Sequence, residues 1–83
     1  MSETISHERS YGHVLIVDDE VFFREAIDEI LRDGGFETIL AEDGESALAA
    51  ATDPSVGVVV LDVRLPDMDG IQVLASIREM RPE

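Results

Sequence analysis

Residues 56–70, VGVVVLDVRLPDMDG, decide the fold of this 83-residue chain. The first six, broken only by Gly57, run apolar into Asp62, and a loop rich in acid, proline and glycine follows at once. A run so short and so rich in β-branched residues predicts a parallel strand buried on both faces. Asp62 then stands at the carboxyl end of that strand. In open α/β sheets ligands bind in the crevice beyond those ends, where side chains escape the packing layers above and below.

Upstream, residues 14–17 (VLIV) form a second apolar run, and it too ends in acid, at Asp18, Asp19 and Glu20. Two neighbouring parallel strands of this kind would hold their terminal carboxylates side by side. Acids also favour the positive end of a following helix, which accounts for Glu20, but two further aspartates exceed what a helix start requires.

From 21 to 32 the apolar residues fall in pairs, Phe22 with Phe23, Ala26 with Ile27 and Ile30 with Leu31, each four positions after the last. That spacing predicts one helical stripe. Arg24 with Asp28, and Asp28 with Arg32, are i,i+4 pairs expected on the solvated face, worth a few tenths of a kcal/mol each. Gly34 and Gly35 are expected to end the helix. Residues 36–41 read as a strand, 45–52 as a short helix after the Asp43-Gly44 turn, and Asp53-Pro54 as its stop. Beyond the 64–70 loop, Ile71, Leu74 and Ile77 mark a last helix. The order is β-α-β-α-β-α, an α/β pattern that calls for a parallel sheet with right-handed crossovers.

Composition bounds the function. Nineteen acidic residues against six basic ones give a net charge of -13, which repels nucleic-acid phosphates and anionic membranes. All six basic residues are arginines, and the chain has neither lysine nor cysteine. No disulfide, thiol nucleophile or cysteine-bound zinc is therefore available. Residues 1–12 are polar and predict a flexible tail, with 13–83 as the domain. His7 and His13 have no companions at metal-ligand spacing and read as tail and strand-start residues. The chain shows no secretory or membrane-spanning pattern, and the expectation is a soluble cytoplasmic protein.

Asp18, Asp19 and Asp62 remain to be explained. Carboxylates gathered in one place repel one another unless a cation neutralises them, and hard oxygen ligands favour magnesium. One of them could then act as a nucleophile toward phosphorus. VLIVDDE, followed after a helix, a strand and a helix by VVVLDVRLPDMDG, resembles the amino-terminal part of the receiver domain of bacterial two-component response regulators. The resemblance covers residues 13–83 and implies a flavodoxin-like (CheY-like) receiver fold with strand order 2-1-3, the doubly wound order of which such receivers are an example.

It further implies that Asp62 accepts a phosphoryl group from the phosphohistidine of a sensor histidine kinase or phosphotransfer protein. Asp18 and Asp19 would form the Mg2+ pocket with Asp62, Asp19 being the direct ligand, and Arg64 would add its backbone carbonyl. The chain would be a phosphoacceptor signalling domain, not an enzyme, transferring phosphoryl only to its own Asp62. By the same resemblance the chain reads as a receiver truncated after the third helix, without the Ser/Thr and Lys of the family's switch, so that signalling is impaired. By that reading the outer N–H and C=O groups of strand 56–61 and its valine side chains would be partly bare, inviting a homodimer or a swapped oligomer.

Other readings fare worse. A haloacid-dehalogenase-type phosphotransfer enzyme would by resemblance want an aspartate at position 64, where this chain has Arg64. A calcium loop with Gly70 at its sixth position would place Ser76 where the bidentate acid belongs. Asp67 and Asp69 read instead as turn and helix-capping residues. The rival from another class is an interaction module of receiver ancestry that is not phosphorylated.

Overall fold

The computed structural model describes residues 12–62 and 64–81. The expected tail over residues 1–11, His7 included, lies outside them. Strands β1 (His13–Val17), β2 (Thr38–Ala41) and β3 (Val56–Leu61) alternate with helices α1 (Val21–Asp33), α2 (Gly44–Ala51) and α3 (Gly70–Met80). The sheet is parallel with order β2-β1-β3, so the first apolar run is the middle strand. Gly12, assigned above to the tail, packs against the residues leading into β3. Its φ is +83°, and a Cβ there would collide with the Ser55 carbonyl oxygen.

Register fixes the two faces of the sheet. Leu15 lies beside Ile39 and Val59, and Val17 beside Ala41 and Leu61. Alternation puts these on one face, where they meet Ala47 and Ala51 of α2 and Val73 and Ile77 of α3. This is the main core, with Leu15, Ala47, Ala51 and Val73 wholly buried. The opposite face carries Val14 and Ile16, both buried, with Thr38 and Leu40 on one side and Val58 and Val60 on the other.

That second face corrects one expectation. Strand β3 is not buried on both faces: Val58 and Val60 are 41% and 36% exposed. The apolar stripe of α1 is not buried either, for Phe22, Phe23 and Ile30 are exposed and the helix has no fully buried residue. One cause explains both. Helix α1 packs over β1 and β2, leaving the outer half of β3 without a cover and the far side of its own stripe without a floor.

Local chemistry sets the helix ends. At the end of α1 the Phe36 N–H donates to the Leu31 carbonyl and the Gly35 N–H to that of Arg32, 3.0 Å each, with Gly35 at φ +93°. This paired arrangement satisfies carbonyls that the helix leaves open. It also delays β2, which starts at Thr38 rather than at Phe36. Helix α2 starts at Gly44, behind a capping box in which Asp43 accepts from the Ser46 N–H at 2.9 Å. Of the two i,i+4 pairs expected on α1, Arg32 does reach Asp28, at 3.1 Å. Asp28 is not on the solvated face, however. It accepts a hydrogen bond from the Thr38 hydroxyl of β2, and Arg24 turns away to Asp18.

Candidate metal centre

The backbone ladder delivers the acids. The Asp18 N–H donates to the Ala41 carbonyl at 3.1 Å, and the Asp62 N–H to the Val17 carbonyl at 3.0 Å. Each bond carries strand pairing one residue past the strand end. Asp18 and Asp62 thus leave the sheet from adjacent strands on a rigid base, with Asp19 one residue further along.

The outcome is a cluster. One carboxylate oxygen from each of Asp18, Asp19 and Asp62 lies within 4.8 Å of the others. Asp18 and Asp62 are half-buried and Asp19 is exposed. Among the described residues no ion pair reaches any of the three. The Arg24 guanidinium comes near, but it donates to the Asp18 backbone carbonyl, at 2.7 Å. Asp18 Oδ1 accepts from the Glu20 N–H at 2.9 Å, turning the chain into α1, for which Glu20 is the N-cap residue. Arg64, expected at the site, lies beside Asp62: its backbone N–H donates to Asp62 Oδ1 at 3.1 Å. Three hard, anionic oxygen donors without a basic partner suit magnesium better than a softer metal. Asp18, Asp19 and Asp62 are the residues able to hold it.

Two neighbours escaped the sequence reading. Arg24 was assigned to a helix-face pair, though a cation in the first turn after two aspartates was a signal that it could fold back. Asp67 caps not the helix that follows it but α2. Its two oxygens accept from the Gly44 and Glu45 N–H groups at 2.7 and 2.9 Å. The Gly44 bond foremost holds the Asp67 carboxyl below its ordinary range. Asp69 caps its own helix, accepting from Ile71 N–H at 2.9 Å. His13 stands at the other end of β1, bonded to Ser55 Oγ and Glu37 Oε1, away from the acids.

A family model described as the response regulator receiver domain matches residues 14–83. This chain belongs to that family. The receiver is 48% identical over 69 residues to the probable transcriptional regulatory protein TcrX of Mycobacterium tuberculosis, covering 83% of this chain and 30% of that protein. It is 45% identical over 69 residues to a protein-glutamate methylesterase/protein-glutamine glutaminase of Halobacterium salinarum, covering 82% of this chain and 20% of the relative. Among solved structures, CheY of Borrelia burgdorferi in a CheX–CheY–BeF3–Mg complex superposes with a TM-score of 0.82 at 39% identity, over 87% of this chain and 56% of that one. TrrA of Thermotoga maritima, in complex with Mg and BeF, gives 0.81 at 35%, over 86% and 62%. The chain therefore spans under a third of either curated relative and under two thirds of either solved one. No helix among the described residues is long and apolar enough to cross a membrane.

Proposed function

We propose that this receiver is a phosphoacceptor, with Asp62 as the nucleophile and a sensor histidine kinase or phosphotransfer protein as the donor. The observation that carries the reading is the carboxylate cluster at the carboxyl edge of the sheet, in a chain of receiver family. Arg64 N–H donates to Asp62 Oδ1; Oδ2 is then the attacking oxygen, and Oδ1 keeps a second lone pair for the metal. The bond from Oδ2 to phosphorus forms as the bond from phosphorus to the donor's imidazole nitrogen breaks, and the imidazole keeps that electron pair. Asp18, Asp19, Asp62 and the Arg64 carbonyl would hold Mg2+, with Asp19 the direct ligand of the first pair. When bound, the metal supplies positive charge against the transferring phosphoryl oxygens. The acceptor is the chain's own side chain, so the activity is that of a signalling domain. A charge of -13 disfavours nucleic acid and anionic membranes as partners.

The test is incubation with a small-molecule acyl phosphate, with and without magnesium, read by intact mass. Covalent phosphate is expected only with magnesium and only when Asp62 is present, the Asp62→Asn variant staying unmodified. No adduct on the parent chain would favour the non-phosphorylated interaction module instead.

The exposed valines of β3 favour a second element of this reading, self-association along that edge. A two-fold axis perpendicular to the sheet must match residues of equal parity so that each face continues across the joint. Antiparallel pairing centred on Val59 does so and sets Val58 opposite Val60 of the second copy. It also sends the two acid clusters to opposite ends, whereas side-by-side parallel pairing would bring them together. Light scattering should show a dimer that strengthens with salt, as repulsion is screened, and that Val60→Lys dissociates. A folded monomer persisting at high concentration would sink the idea.

A further inference from the structure

Asp67 serves a helix that begins 23 residues before it. Helix α2 already has a local cap, since Asp43 accepts from Ser46 N–H. The Gly44 and Glu45 N–H groups that precede Ser46 are the ones Asp67 takes, one with each carboxylate oxygen. The fit is close: a Cβ at Gly44 would collide with Met68 Cγ. The loop between β3 and α3 is therefore fastened at its crown to the amino end of α2.

The same loop is fastened at its base. Arg64 and Asp69 form an antiparallel bridge that closes the loop on itself. Asp69 is fixed to α3 through Ile71 N–H. Arg64 N–H donates to Asp62 Oδ1. A loop closed by a bridge moves as one piece, so holding its crown also holds Arg64 where its N–H meets Asp62.

We infer that Asp67 is a positioning residue for the acid cluster: by clamping the 64–69 loop to the start of α2, it holds the Arg64 backbone against Asp62 and so sets the cluster's affinity for a divalent cation. The inference rests on the magnesium reading given above. It extends that reading to a residue that touches none of the three acids, and it ties the loop after β2 to the loop after β3.

The experiment compares Asp67→Ala and the milder Asp67→Asn with Asp43→Ala, which removes the local cap of the same helix and leaves the 64–69 loop untouched. Two quantities are read: magnesium affinity, and hydrogen exchange of the Arg64 amide in magnesium-free protein. Asp67→Ala should weaken magnesium binding by roughly tenfold, as loss of an outer-shell support does, and should speed Arg64 exchange. Asp67→Asn, keeping one acceptor oxygen, should fall between, and Asp43→Ala should change neither quantity. Equal effects from Asp43→Ala and Asp67→Ala would reduce Asp67 to a helix cap and overturn the inference. So would Arg64 exchange at the parent's rate in both Asp67 variants. Should the parent chain bind no magnesium, the metal reading fails, and the metal-free exchange experiment still decides whether Asp67 positions the loop.

Discussion

Magnesium is expected to raise the melting temperature of the parent chain and to leave that of an Asp19→Asn variant where it was. The parent holds three carboxylates whose oxygens lie within 4.8 Å of one another with no ion-paired cation among the described residues. Folding assembles that repulsion, and a cation bound only by the folded state offsets it. At one hundred times Kd, linkage contributes about 2.7 kcal/mol. A domain of this size gains roughly 4–8 °C per kcal/mol, so the expected rise is roughly 10–20 °C. Without magnesium the order reverses: Asp19→Asn removes one charge from the cluster and should melt slightly above the parent.

Calorimetry of both proteins, with sodium chloride matched for ionic strength, checks this prediction. The matching matters because any salt screens a net charge of -13. An equal rise in both proteins would take Asp19 out of the ligand set.

What the sequence made legible follows from which forces are local. Two apolar runs that each end in acid predict strand ends that bring Asp18, Asp19 and Asp62 together if the strands are neighbours, and the three do meet. Strand order came from the family resemblance, because periodicity says which residues share a face and nothing about which strand lies in the middle. The same limit explains α1. Its stripe was read correctly as helical, but a stripe does not say whether a neighbour covers it, and Phe22, Phe23 and Ile30 are bare.

Side-chain partners were less legible, because groups distant in sequence compete for them. Arg24 and Asp28 have the right spacing, yet Thr38 takes Asp28 and the Asp18 carbonyl takes Arg24. Asp67 is the extreme case, since no sequence rule assigns a residue to the cap of a helix that far upstream.

Leu15→Ala is expected to unfold a large share of the molecules, while Ile30→Ala leaves stability within about 0.5 kcal/mol of the parent. Both substitutions shorten an aliphatic residue, but Leu15 is fully buried in the middle strand between the sheet's neighbours and the α2–α3 layer, whereas Ile30 is 68% exposed on α1. Truncating a buried leucine costs about 3–5 kcal/mol, the transfer energy of the lost carbons plus the cavity they leave. Stability scales as roughly 0.05–0.15 kcal/mol per residue, and small domains sit toward the low end because they bury a smaller share of their surface. With the second face of the sheet half covered, little burial remains to absorb the loss. Urea unfolding followed by circular dichroism should put the Leu15→Ala midpoint about 2–3 M below the parent's, at an m-value of about 1.5 kcal/mol per M. If the Leu15 and Ile30 variants shifted alike, the α2–α3 face would not be the main core. The folded layer would then have to lie on the α1 side, where Phe22, Phe23 and Ile30 could not be exposed.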